Sequence, residues 1–233
     1  PVTVSTNSHA VVSFVTITKN NQRGLQKTIA SIRSQNFRNW ECLIQDAASN
    51  DETLASVNAL NDYRVKIRSN SDLGIFDGMN QGMARCTGDL VWFLNAGDTL
   101  ADANALGVVV QSWKSLKWQW AYGQIVLLNE SGGPGVIFPT HPATPFTVKL
   151  GINSFPHPAC LFDHAFLKLI APYRLEFGHS ADQELCIRAY REHQPYFIAR
   201  TLAHFAPGGV SGGNSSTAHE QAFHAFRLQM NEP

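Results

Sequence analysis

What this chain lacks narrows what it can be. Cysteine is sparse: Cys42, Cys86, Cys160 and Cys186 are widely spaced with no Cys-x-x-Cys pair, so neither a zinc ribbon nor a redox motif is expected. Each cysteine lies in an apolar stretch, which predicts reduced, buried thiols of a cytoplasmic protein. Charge is scarce and balanced: 15% of residues are charged, and 18 acidic residues match 18 basic ones. With no net charge and no Lys/Arg run, no nucleic-acid partner is expected. A charged fraction below the usual quarter leaves some surface neutral or covered by a partner. No stretch approaches the roughly 18 to 20 apolar residues of a membrane span, and no basic-then-apolar signal pattern opens the chain. The glycine-rich phosphate fingerprints of dehydrogenases and P-loop kinases do not follow the first predicted strand.

What is present is a core. Of the 233 residues, 44% are hydrophobic, and their spacing alternates between two periods. Residues 10–17 form a nearly continuous apolar, β-branched run, as in a strand buried on both faces. Asn20 or Asn21 can cap a helix that places Leu25, Ile29 and Ile32 on one face. Residues 40–45 read as a second strand. Ser49 and Glu52 have capping-box spacing ahead of Leu54, Val57 and Leu60. Val65 and Ile67 mark a third strand, Phe76, Met79, Met83 and Cys86 recur at helical spacing, residues 90–94 are a fourth strand, and Leu106, Val109, Val110, Trp113 and Leu116 fit a longer helix. Strand and helix alternating four times over predict an α/β fold with a mostly parallel central sheet flanked by helices.

The second half reads differently. Residues 118–128 and 135–138 predict a hairpin. Residues 139–158 hold five prolines, Pro139, Pro142, Pro145, Pro156 and Pro158, and predict a surface loop. Ser180 and Gln183 can cap a helix running to Arg191, and residues 195–199 predict a strand. Gly208, Gly209, Gly212 and Gly213 read equally as a lid or as a plain flexible loop. Thr217 and Glu220 again fit a capping box, before Phe223, Phe226 and Met230. Trp92, Phe93, Trp113, Trp118 and Trp120 are expected to pack in the core. With no repeat and no linker, residues 1–233 are expected to form one domain.

In open α/β sheets the ligand site lies outside the carboxyl ends of the strands. Thr16, Thr18 and Asn20 follow the first strand, Asp46 closes the second, and Asn95 and Asp98 follow the strand that ends at Leu94. One acidic residue after a strand is commonly a cap or turn former. Three polar clusters on one sheet edge favour a site, and carboxylates beside a phosphate ligand make sense when a divalent cation stands between them.

Four stretches carry a family resemblance: residues 11–20, 40–51, 71–98 and 180–190. The third is the most specific, a Gly-Ile-aromatic-Asp-x-Met-Asn-x-Gly segment, then Thr-Gly-Asp, an apolar strand and a short polar loop ending in Asp98. Together they resemble family 2 of the inverting glycosyltransferases, bacterial surface-polysaccharide type, which have the GT-A fold. The resemblance implies transfer of a sugar from a nucleoside-diphosphate sugar, most often UDP-linked, to a hydroxyl of a saccharide or lipid-linked acceptor. Residues 10–100 would then be the nucleotide-sugar half, and residues 101–233 the half carrying acceptor and catalytic base.

Position by position, the resemblance places Thr16 and Thr18 along the nucleoside, mostly through their backbone, and Asp46 as acceptor from the base. Asp72, Asp77 and Asn80 fall in the segment lining ribose and diphosphate. Asp98 stands at the last acidic position of the Asp-x-Asp region, which coordinates Mn2+ or Mg2+. Asp182 occupies the place of the catalytic base, with Glu184 as the alternative, and His204 lies where some GT-A enzymes take a further metal ligand. The chain departs from the family at Asn95-Ala96-Gly97-Asp98, where Asp-x-Asp-Asp is common. Asn95 can still bind a ribose hydroxyl, but Gly97 supplies no ligand. Such enzymes often act on lipid-linked acceptors, which implies peripheral association with the inner face of the plasma membrane.

Plainer readings stand beside these. A first-turn Asp182 also serves a helix dipole. His157 could line the acceptor pocket, yet His157 and His204 read more readily as packing or surface residues. Two rival functions remain open at this stage: a catalytically degenerate nucleotide-binding partner subunit of a polysaccharide assembly complex, and a sugar-1-phosphate nucleotidyltransferase. The second should carry a glycine-rich, basic loop after its first strand, which residues 16–23 lack.

Overall fold

In the computed structural model, residues 11–149 and 155–206 are described; the glycine run over 208–213 and the helix expected beyond Thr217 lie outside them. The first half contains β1 (Val12–Thr18), α1 (Gln22–Arg33), β2 (Trp40–Asp46), α2 (Thr53–Asn58), β3 (Val65–Ser69), α3 (Ile75–Met83) and β4 (Leu90–Phe93). The second contains β5 (Thr99–Leu100), α4 (Ala105–Leu116), β6 (Trp120–Leu128), β7 (Pro134–Phe138), α5 (Pro145–Lys149), β8 (Cys160–Asp163), α6 (His164–Ile170), α7 (Ala181–Glu192) and β9 (Tyr196–Phe205).

The strands form one mixed sheet in the order β3-β2-β1-β4-β8-β6-β9-β5, with β7 paired to β6. Its first four strands are parallel, as the strand–helix alternation predicts. From β8 onward the sheet turns largely antiparallel, because β8 enters beside β4 and β6 in the reverse direction. The two halves of the chain therefore share a sheet, joined at β4 and β8.

Alternation along β1 and β4 sends side chains to two cores. Val12, Phe14, Leu90 and Trp92 pack with Leu25, Ile29 and Ile32 of α1 and Leu106, Val109 and Val110 of α4. Val15, Val91 and Phe93 face Met79 of α3, Phe166 and Leu167 of α6, and Leu185 and Cys186 of α7. Burial of both faces is what a continuous β-branched run requires. Helix α3 lies close against β1 because Gly82 faces it: a Cβ there would stand 2.5 Å from Val15 Cγ1. All four cysteines are free thiols, and three of them are buried.

Several local expectations fail for one reason: the side chain is used elsewhere. Asn21 caps α1, accepting from the Gly24 N–H at 3.0 Å. Ser49, by contrast, caps nothing; its hydroxyl and N–H both bond the Asp46 carboxylate, and the α2 entrance is met by Asp51, which accepts from Thr53 N–H at 3.0 Å. The Ser180–Gln183 box is also absent, because Gln183 bonds the N–H and the carbonyl of Phe155, each at 2.9 Å. Residues 139–158 are more than a surface loop: they include α5 and lead into a 3-10 turn at His157–Ala159, with Phe155 and Pro158 buried. Strand β8 and helix α6 were not foreseen. Asp163 ends the strand and caps the helix, accepting from Ala165 and Phe166 N–H.

Ala48 occupies the left-handed region, φ 54°, in the loop that Asp46 holds through Ser49. A side-chain-bearing residue there costs roughly 1–2 kcal/mol relative to a right-handed conformation, part of which glycine gives back in chain entropy. Ala48→Gly is therefore expected to stabilise the protein by about 1 kcal/mol, a rise in melting temperature of roughly 2–4 °C. A lower melting temperature for this variant in a thermal melt would contradict the assignment of strain to Ala48.

Candidate functional site

A cavity of about 1650 Å3 opens along the carboxyl ends of β1 and β4, with the end of β9 beside the loop after β4 and the first turn of α7 completing its lining. Of the residues singled out in the sequence, Thr18, Asp72, Asn95, Asp98, Asp182 and His204 line it. The first four come from the first half of the chain and the last two from the second.

The loop after β4 is built around Thr28, a fully buried residue of α1 with no signal in the sequence. Its hydroxyl lies 3.1 Å from the Asn95 carbonyl and 2.7 Å from that of Asp98, and it accepts from Gly97 N–H at 3.0 Å. Gly97 has φ 114°, a conformation that residues with a Cβ rarely adopt. The missing acidic residue at 97 thus has a backbone reason: this turn does not accommodate one without rearranging.

Two oxygens at this edge are orphaned. Asn95 Oδ1 and Thr18 Oγ1 are buried and have no hydrogen-bond partner among the described residues. Buried polar atoms in native proteins are nearly always satisfied, so each calls for a ligand or water. Asp98 is 5% exposed, and among the described residues its carboxylate accepts only the Ala206 N–H, at 3.0 Å. Burial pushes its pKa up to about 7, against the opposing effect of that N–H. His204 stands on the same wall, opposite Thr99 in the β5–β9 ladder.

These groups fit a divalent cation. Asp98 is a carboxylate short of positive charge, and Asn95 offers an unpartnered carbonyl oxygen; both are hard donors of the kind Mg2+ and Mn2+ take. Among the described residues no three His, Cys, Asp or Glu side chains come together as a metal cluster, so most of an ion's shell would come from diphosphate and water.

On the opposite wall, Asp182 lies in the first turn of α7. Its carboxylate accepts from the Gln183 N–H at 2.7 Å and from Gln183 Nε2 at 3.3 Å, while Gln183 is itself fastened to Phe155. His157 also lines the cavity. Burial lowers its pKa, with the Asp182 charge opposing, which keeps the imidazole neutral at pH 7. His179, Lys19, Arg23 and Lys27 line it as well and were not singled out in the sequence.

Five of the expected site residues are not among those that line the cavity. Glu184 is fully buried and ion-paired to Arg188 at 2.7 Å and to Arg174 at 3.4 Å, so it braces the helix and does not reach the cavity as an alternative base. Asp46 is also fully buried, with its carboxylate taken by Ser49 and by the Ser69 hydroxyl at 2.6 Å; it shapes the loop, and Ala47 lines the cavity in its place. Thr16 sits inside the β1–β2 ladder opposite Ile44, its hydroxyl 3.8 Å from Cys42 Sγ. Asp77 accepts from Leu73 N–H at 3.0 Å and Gln81 Nε2 at 2.8 Å, a helix-start role. Asn80 is a clamp: its side chain bonds both the N–H and the carbonyl of Tyr173, each at 2.9 Å.

Asp98 generates a test of the site's electrostatics. Its unfolded pKa is near 3.8 and its folded pKa about 7, so the folded state binds the extra proton between those values and loses stability as pH rises through that window. Asp98→Asn, measured without metal or nucleotide, is expected to be more stable than the native protein by an amount that grows from about pH 4 to pH 8, reaching on the order of a few kcal/mol. A difference that does not change with pH would contradict burial as the cause.

Comparison with known proteins agrees with the geometry. The family model described as Glycosyl transferase family 2 matches residues 13–158. An uncharacterised glycosyltransferase of Mycobacterium tuberculosis is 30% identical over 220 residues, covering 91% of this chain and 80% of that protein. The Escherichia coli UDP-Glc:alpha-D-GlcNAc-diphosphoundecaprenol beta-1,3-glucosyltransferase WfgD is 23% identical over 186 residues, 78% of this chain and 71% of its own. Among solved structures, S. aureus TarS 1–349 in complex with UDP-GlcNAc superposes with a TM-score of 0.78 at 16% identity. That match covers 94% of this chain and 66% of the staphylococcal one, so this chain spans just under two thirds of that structure. The mixed sheet with flanking helices is the GT-A fold. With its family model matched over more than half its length, this chain belongs to glycosyl transferase family 2.

Proposed function

We propose that the protein transfers a hexosyl group from a UDP-sugar to a hydroxyl of a saccharide or lipid-linked acceptor, with inversion at the anomeric carbon. The observation that carries this reading is the pairing across one cavity of the Asn95–Asp98 loop and Asp182. One wall suits a diphosphate with its cation; the other presents a carboxylate with room before it. The names of two relatives support a UDP-linked donor, and that of WfgD a diphosphoundecaprenol-linked acceptor.

Asp98, with Asn95 and His204 beside it, would hold Mn2+ or Mg2+, which when bound stabilises negative charge on the departing diphosphate. Thr18 and Asn95 offer their unpartnered oxygens to the nucleotide or its ribose. The acceptor oxygen forms a bond to the anomeric carbon as the bond from that carbon to the diphosphate oxygen breaks. Its proton passes to the Asp182 carboxylate, and UDP carries away the bonding pair. Glu184, locked to Arg188, keeps the first turn of α7 in place while this happens. Asp98 and Asp182, both lining the cavity, weigh against a degenerate partner subunit.

General-base removal of a proton contributes typically 10²- to 10⁴-fold. Asp182→Asn is therefore expected to lower kcat by at least about 100-fold while leaving the Kd for UDP within about twofold. A variant that retains most of its transferase activity would remove Asp182 from the mechanism.

A further inference from the structure

An in-line displacement puts the attacking and leaving oxygens on opposite sides of the anomeric carbon, so the donor sugar must lie between the Asn95–Asp98 loop and Asp182. A side chain that lines the same cavity and lies near both is His157. Its ring centroid is 5.5 Å from that of Phe93, which ends β4 two residues before Asn95. At the other side it feels the charge of Asp182. Part of its surface remains open to the cavity.

The ring is held in one attitude. His157 Nε2 lies 2.8 Å from the Tyr173 hydroxyl. Tyr173 in turn packs against Phe93 and Phe76, with centroids 5.3 Å away in each case. Its backbone N–H and carbonyl are both bound by Asn80 of α3. Tyr173 stays protonated, since burial raises its pKa well above 10. A neutral imidazole with Nε2 engaged leaves Nδ1 as its free polar atom, and Nδ1 makes no hydrogen bond among the described residues. When the phenol donates, Nδ1–H is a donor; when it accepts, Nδ1 is an acceptor. Either form matches a sugar hydroxyl.

We propose that His157 reads a hydroxyl of the donor sugar through Nδ1, and that Tyr173 is the residue that positions its ring. This assignment rests on the transferase reading above. It makes His157 a determinant of which sugar is carried, distinct from the groups that hold the nucleotide and from the base. Packing alone would not require a polar ring whose second nitrogen is left free beside a cavity.

The test separates sugar from nucleotide. Calorimetric titration in MnCl2 with UDP, UDP-glucose, UDP-galactose and UDP-N-acetylglucosamine gives each protein a ratio of sugar-nucleotide Kd to UDP Kd. His157→Phe keeps an aromatic ring against Phe93 but loses the nitrogen. It is expected to raise that ratio about tenfold for the preferred sugar while moving the UDP Kd less than about twofold. Tyr173→Phe removes a single oxygen, and should shift the same ratio about threefold in the same direction and narrow discrimination among the three sugars. Because that change is so small, it tests the proposal even if His157→Phe does not fold. An unchanged ratio in the folded variants, or equal weakening of UDP and sugar nucleotide, overturns the proposal. Native protein that binds neither UDP nor any of the three sugar nucleotides overturns the transferase reading instead, and the native titration alone distinguishes the two failures.

Discussion

A carboxylate buried without a counter-charge among the described residues is the constraint around which this site is arranged. Asp98 is almost wholly removed from water and, among the described residues, has one backbone N–H for company. Taking an ionised group out of water is costly unless a charge or several hydrogen bonds compensate. The fold accepts that cost where the sheet edge, the end of β9 and the Thr28 hydroxyl converge. A cation and a diphosphate arriving together would supply what is missing, which is why the least favourable group in the free protein is the one expected to matter most for donor binding.

Other buried charges are treated in the opposite way. Glu41 is buried but receives hydrogen bonds from Ser13 and Thr87 and an ion pair from Lys66; these bonds outweigh the desolvation that opposes them and hold its pKa low. Glu184 is met by Arg188, whose guanidinium also reaches the carbonyls of Ile170 and Pro172. Asp46 is satisfied by Ser49 and Ser69. Satisfied carboxylates stiffen the frame, and none of these three lines the cavity, whereas Asp98 and Asp182 do. The same division holds among neutral groups: Asn80 and Gln183 are spent on backbone clamps, whereas Asn95 and Thr18 are not.

Much of the frame was legible in the sequence because it depends on local spacing. The β-branched run over residues 10–17 and the strands expected over 40–45 and 90–94 became β1, β2 and β4, the apolar triplet Leu25, Ile29 and Ile32 became the buried face of α1, and Asn21 caps that helix. Asp98 could be placed at the sheet edge from its position after the fourth strand, whereas Asp182 was brought to the same cavity only by the family resemblance. What could not be read depends on partners distant in the chain. Thr28 organises a loop some 70 residues away, and Tyr173 is clamped by Asn80 across 93 residues. Ser49 and Ser180 have the spacing of capping boxes, but Asp46 claims Ser49 and Phe155, distant in the chain, claims Gln183 first. Asp46 and Glu184 have the right chemistry for a site but belong to the scaffold: Glu184 is held by Arg188 one helical turn on and by Arg174, and Asp46 by Ser49 and, across the β2–β3 ladder, by Ser69.

The central claim is that this cavity binds a uridine diphosphate moiety through a cation. Thermal stability measured against UDP, with and without Mn2+, tests it most directly. UDP at 100 times its Kd should stabilise the fold by about 2.7 kcal/mol, a shift of roughly 5–10 °C for a chain of this size, and only when the metal is present. An equal shift without Mn2+, or none with either, would contradict the account.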